Sequence, residues 1–296
     1  MRSSQPAIGW RYGFKEFKEI RMKKAFFLQV AILGLTLMIS SSTATAHEMF
    51  LKAEDYYVEP AKTLVLKLLN GTFDKSLNAI NRERMQVVSL VNNGRTTYPP
   101  LSAWYDAENT SFLDIKTTSP GTYVVGVSLR QNIITLSAED FTNYLRHDGI
   151  LDTLAEFEAS GSKNDVTEHY AKHVRVIFQV GDERTEDFSQ ALGHPVEILL
   201  QDNPYDLTLG ESLNFQVIYE GRAAGHQLVY AGYQGFQRDG VDDGHAVSLR
   251  TDENGRASFV PEAKGIWYIS LIHMKRIEDP DADYRSDWAT VTFEIR

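Results

Sequence analysis

From residue 47 onward, short runs of alternating apolar and polar residues are separated by turn-forming residues. Thr63–Leu69, Arg84–Val91, Ser111–Lys116 and Thr122–Leu129 are rich in Val, Thr, Leu and Tyr. Asn92-Asn93-Gly94 and Ser119-Pro120-Gly121 lie between them. A period of two with Asn-Gly and Pro-Gly punctuation predicts antiparallel strands packed as a sandwich. The period changes at 137–160. Ser137 is placed to cap a helix with Asp140 at its third position, and Phe141, Tyr144 and Leu145 fall on one face. Leu151, Leu154 and Ala155 continue a helical stripe after His147-Asp148-Gly149, and Gly161 ends it. A short helical insertion in a β protein is expected here.

Val174–Val180 is another strand. After Gly193-His194-Pro195 a second β region follows: Leu213–Tyr219, Gln227–Tyr233, Ala246–Arg250, Ala257–Val260, Trp267–Met274 and Thr290–Ile295. Six or so strands in about 100 residues have the size and rhythm of an immunoglobulin-like sandwich. The expected fold is therefore mainly β: two immunoglobulin-like β-sandwich units, 47–196 and 197–296, with helices at about 137–160. The short connection predicts that the two units pack together rather than swing freely.

Residues 1–46 have a different pattern. Met22-Lys23-Lys24 is a basic start, Ala25–Ile39 an apolar core, and Ala44-Thr45-Ala46 a small-residue cleavage site. This predicts a signal peptide over 1–46, with translation starting at Met22 and cleavage before His47. The apolar run is shorter than the roughly 20 residues that span a bilayer. A processed chain in the periplasm, without stable membrane insertion, is expected. The net charge of the whole chain is −10. Residues 1–46 hold seven basic and two acidic side chains, so the processed part carries about −15. That excess argues against nucleic acid as a partner, because phosphates need Lys and Arg. There are no cysteines. Disulfides, thiolate metal sites and cysteine nucleophiles are excluded, and any metal must be held by nitrogen and oxygen.

His47 is the sharpest candidate for chemistry. As the first residue after cleavage, its α-amine and Nδ1 can chelate one ion, and such nitrogen donors suit nickel, cobalt, copper and zinc. His273 follows Trp267, Ile269 and Leu271 on one strand face, which fits a core histidine as well as a ligand at the sandwich rim. His169 and His173 share a face on a helix but sit about 13 Å apart on a strand. The strand is favoured. Asp279-Pro280-Asp281-Ala282-Asp283 begins like a calcium loop but lacks its later glycine and glutamate, which fits a solvated acidic loop. His226 and His245 lie in turns. No phosphate-binding glycine loop and no G-x-S-x-G elbow is present.

The order of several stretches resembles the periplasmic family called domain of unknown function 4198. They are Ala46–Leu51, Phe141–Leu145, Tyr170-Ala171-Lys172, Gln201–Tyr205, Thr251-Asp252 with Gly255, Gly265-Ile266-Trp267 leading to His273-Met274, and Asp283–Ala289. The resemblance implies a periplasmic β-sandwich protein with a divalent transition-metal role, some members being linked to nickel or cobalt uptake. It makes His47, His273, Asp283 and Asp287 the metal-site candidates and a membrane transporter the expected partner. Two other readings stay open. One is a copper-dependent redox enzyme using the N-terminal histidine. The other is a metal-free β-sandwich module that binds carbohydrate or protein. In the metal reading His47 and His273 meet at one site between the two units.

Overall fold

A computed structural model describes residues 48–236 and 245–296. The signal-peptide expectation and His47 lie outside the described residues. The described chain is mainly β and forms three sheets. The first sheet holds β1 (Glu48–Ala53), β3 (Thr63–Gly71), β7 (Thr110–Lys116) and β6 (Trp104–Ala107) in that spatial order. The central sheet runs β15 (Val247–Arg250), β14 (Leu228–Tyr233), β17 (Gly265–Arg276), β18 (Tyr284–Ile295), β10 (Val166–Val180), β8 (Gly121–Leu129), β4 (Met85–Asn92) and β5 (Arg95–Thr97). Two short strands, β2 (Tyr57–Val58) and β9 (Asn132–Leu136), also pair with β10. The third sheet has β11 (Val196–Leu200), β12 (Leu213–Tyr219) and β13 (Arg222–Ala223), with β16 (Arg256–Phe259) also on β12.

The central sheet is covered on both faces. On β18, Thr290 donates to Met49 O of β1 at 2.9 Å, so the even-numbered residues face the first sheet. On β10, Arg175 donates to Ile198 O of β11 at 3.3 Å, so the odd-numbered residues face the third sheet. β10 and β18 are therefore buried on both sides, and Ala171 through Val180 form an unbroken buried run. Their pairing is parallel, from Glu168 opposite Tyr284 to Val176 opposite Thr292. This one pairing joins the earlier and later β regions into a continuous sheet. Two sandwiches thus share their middle layer, and a single apolar core runs through Leu51, Leu66, Val176, Phe215, Trp267 and Phe293.

The helical insertion folds as two helices, α1 (Ala138–His147) and α2 (Leu151–Ser160). Ser137 Oγ accepts from Asp140 N at 3.1 Å, the expected cap, and Phe141, Tyr144 and Leu145 are buried. Those three pack with Phe157, Tyr284 and Trp288 as a second core over the starts of β10 and β18. The tight link between the helices needs Gly149. Its φ is +67°, and a Cβ there would lie 2.4 Å from the Tyr230 hydroxyl, which donates to Gly149 O at 2.8 Å. That bond ties the α1–α2 turn to the central sheet.

Candidate functional site: a buried acid–lysine basin beside the start of the first strand

β1 begins next to β17, with the Phe50 ring 5.1 Å from that of Tyr268. Two residues earlier, the Glu48 carboxyl lies against Ser270 of β17. The Ser270 hydroxyl is buried and forms no well-aligned hydrogen bond. Burial pushes the Glu48 carboxyl up to about 7, against the pull of the nearby Ser270 hydroxyl. The α1–α2 turn brings in His147 and Asp148, whose Nδ1 and Oδ1 are 2.7 Å apart. The Asp148 side chain is only 7% exposed, and burial pushes its carboxyl up to about 6.

The floor is formed by the start of β10. Lys172 is held below its ordinary range, near 8, because burial outweighs the favourable charges of Asp148 and Glu48. Its ammonium donates to Asn70 Oδ1 at 3.2 Å and sits 4.9 Å over the Trp288 ring. Glu168 is 1% exposed, and burial pushes it up to about 7. It accepts hydrogen bonds from Tyr144 Oη at 3.1 Å and from Ser286 Oγ. On the far side, His245 Nδ1 is 2.9 Å from Tyr268 Oη, and its ring stacks on Tyr230 with centroids 4.4 Å apart. Two imidazoles, two further carboxyls raised towards neutrality and a lysine lowered towards it thus lie around Glu48, the first described residue of β1. Such clustering marks functional sites more often than plain structural ones.

The four residues singled out from the sequence divide. His273 and Asp287 face each other in register across β17 and β18, on the side of the third sheet. His273 Nδ1 is 2.9 Å from Gln227 Oε1, and its ring packs on Tyr219 with centroids 4.0 Å apart. Burial, helped by the charge of Lys275, lowers its pKa. Asp287 lies 3.2 Å from His173 Nε2 and 3.0 Å from Arg285 Nε. Burial alone would raise it, but the His173 hydrogen bond and the Arg285 charge outweigh that and hold it below the usual range. Arg285 and the hydrogen bond from His173 already answer this carboxylate. Asp283 is elsewhere, accepting from Thr167 N at 2.9 Å. Glu48, the chain neighbour of His47, is across the sheet from His273, on the face of Ser270. His169 and His173 both lie on β10, as the strand reading requires.

Beside Asp287, Ser128 Oγ is 2.9 Å from His173 Nδ1, so Ser128, His173 and Asp287 are connected like an acyl-transfer triad. They are 4, 2 and 1% exposed. A substrate carbonyl does not reach this serine, and the chain of bonds serves to satisfy buried polar atoms.

The family described as Domain of unknown function (DUF4198) matches residues 44–275. The chain belongs to this family. No curated protein matches this DUF4198 chain. Solved structures similar to it include the D0-D1 domain of intimin, at 13% identity over 83% of this chain and 97% of that one, with a TM-score of 0.20. The human OSCAR ligand-binding domain follows at 9% identity over 82% and 96%, with a TM-score of 0.19. A DUF4785 family protein from Legionella pneumophila is 6% identical over 74% and 51%, with a TM-score of 0.24. Scores of this size carry no argument about fold or function.

Sequence reasoning on this DUF4198 chain passed over Glu48, Asp148, Glu168 and Lys172. One signal was present. Val166–Val180 reads VTEHYAKHVRVIFQV, and a strand that becomes apolar on both faces buries the charged residues at its start as well. Among the described residues, no three His, Asp or Glu side chains converge to hold a metal by themselves. The basin does offer imidazole nitrogen and carboxyl oxygen from His147, His245, Asp148 and Glu48. That donor chemistry fits a first-row divalent ion once a further nitrogen set is added.

Proposed function

We propose that this protein is exported to the periplasm and binds a divalent transition metal, nickel or cobalt, for delivery to an uptake system. The ion is held at the processed N-terminus. The observation that carries the reading is the position of Glu48. The residue directly after His47 is set into a basin bordered by His147, His245 and buried carboxyls. Cleavage before His47 gives that basin an amine and an imidazole from adjoining backbone. His147 and His245 are the partners this reading assigns, in place of His273. The ion supplies Lewis acidity and charge at this point. The chain's own part is to orient the imidazoles, through Asp148 at His147 and Tyr268 at His245, and to keep the surroundings dry.

Native export followed by intact mass and elemental analysis tests the reading. The expected result is a chain beginning at His47 with one metal ion. His147→Ala and His245→Ala should each weaken nickel or cobalt binding at least tenfold, about 1.4 kcal/mol. One alanine added before His47 should do the same. Stoichiometric binding untouched by all three changes overturns the assignment, and so does a processed chain with no metal.

A further inference from the structure

A second space opens beside the α1–α2 turn. It is a cleft of about 280 Å³, bordered by Asp148, Leu151–Thr153, His226, Tyr230, Ile272 and Met274. That is close to the lower limit for small-molecule pockets, about 300 Å³. Its two ends have opposite demands.

At one end α2 starts without a side-chain cap, because Ile150 occupies the capping position. A helix start leaves its first N–H groups without intrahelical partners and carries partial positive charge. Asp152, in the first turn, does not fold back to cap them. Both of its oxygens are held by Arg250, at 2.7 and 2.8 Å. This end calls for an anion. At the other end is Asp148. Its Oδ1 is occupied by His147, while its buried Oδ2 has no hydrogen-bond partner among the described residues. The side chain is 7% exposed, and leaving a buried carboxylate oxygen unmet is unfavourable. This end calls for a donor. Between them Tyr230, Ile272 and Met274 give an apolar wall. His226 borders the cleft from a left-handed turn with φ +59°. That conformation is unfavourable for a non-glycine residue, and such outliers gather at ligand sites.

We propose that this cleft binds a free α-amino acid as its zwitterion. The carboxylate sits at the start of α2, the ammonium group donates to Asp148 Oδ2, and the side chain lies along Tyr230, Ile272 and Met274. A simple anion would leave Asp148 unmet, and a simple cation would leave the helix start unmet. A ligand that carries both groups answers both ends. The site goes beyond the metal reading and does not depend on it, although Asp148 borders both.

The test uses metal-stripped mature protein with chelator present, so that failure of metal binding does not bear on the outcome. Calorimetric titration with the common L-amino acids is expected to find at least one with Kd below about 1 mM. Its N-acetyl and its α-carboxamide derivatives should each bind at least tenfold more weakly. Asp148→Asn should weaken the free amino acid tenfold while leaving the circular dichroism spectrum unchanged. The derivative series needs no variant, so it decides the matter even where Asp148→Asn fails to fold. The proposal is overturned if no L-amino acid binds, if the blocked derivatives bind as well as the free one, or if inorganic phosphate binds as tightly.

Discussion

On the face of the central sheet that meets the third sheet, buried charge is paired. His173 and Arg285 flank Asp287, and Arg175 lies 3.7 Å from Glu197, which also accepts from Leu192 N and Gly193 N at 2.8 and 2.9 Å. On the opposite face, Glu48, Asp148 and Glu168 are buried with their carboxyls raised, and Lys172 is lowered. β10 contributes to both sets, His173 and Arg175 to the first and Glu168 and Lys172 to the second. Burial is similar on the two sides, so burial alone does not decide how a group titrates. What differs is that guanidinium groups meet the carboxylates on the first face, whereas on the second burial outweighs the charges nearby. The paired side keeps its ions and locks the layers together. The other side holds groups poised near neutral pH, where a ligand or an ion can change their state.

The largest expected effect is on the paired face. Glu197→Ala leaves the Arg175 guanidinium buried without its counter-charge and removes an acceptor from two backbone N–H groups. Breaking one partner of such a pair costs about 3–5 kcal/mol. Chemical denaturation should show that loss at pH 7, and a loss under about 1 kcal/mol would mean that water reaches Arg175 and the face is not closed.

A smaller effect is expected at the turn bordering the basin. Gly149→Ala puts a non-glycine residue at φ +67° and drives its Cβ into the Tyr230 hydroxyl. The backbone term alone is about 1–2 kcal/mol, so a total loss of about 2 kcal/mol is expected. Metal binding at the basin should weaken in the same variant, because the turn carries His147 and Asp148. Retained binding with reduced stability would separate the turn from the site.

Local pattern made much of this fold readable. The Ser137 cap and the Phe141, Tyr144, Leu145 stripe fixed α1, and period-two runs with Asn-Gly or Pro-Gly ends located most of the longer strands. The shared central sheet was not readable. It depends on residues such as Glu168 and Tyr284 pairing across more than a hundred positions, and local periodicity has no term for that. β1 and β11 were passed over because both are short and bury residues on each face, charged ones included, so no in–out alternation marks them. The site was half readable. The interest of the processed N-terminus came from the cleavage pattern, and His147-Asp148-Gly149 was noticed only as a break between helices. Its position next to the sheet follows from the Tyr230 hydrogen bond to Gly149, a contact local pattern does not encode.

The smallest effect, and the one that best sharpens the contrast, is a difference in sign. Glu168 is raised in the folded chain from 4.5 to about 7. Between those values the folded state holds a proton that the unfolded state has released, so its contribution to stability is full below about 4.5 and is lost as pH rises through 7. Asp287 is shifted the other way. Its contribution is present above the unfolded value of 3.8 and is lost as pH falls through its folded pKa. The raw pH curve mixes these with others. His194, for example, is lowered by burial to about 3 and adds stability as pH rises towards 6.5. Differences from the parent chain remove that background. Glu168→Gln keeps the acceptor for Tyr144 and Ser286 and removes only the titration. It should be nearly neutral at pH 5 and become stabilising by on the order of 2 kcal/mol at pH 8. Asp287→Asn should be destabilising at pH 7, with a deficit that shrinks below about pH 4. Denaturant midpoints for both variants across pH 3–8 measure the two slopes. A Glu168→Gln difference that stays flat across this range would show that Glu168 titrates alike in the folded and unfolded chains, and the distinction between the two faces would then rest on geometry alone.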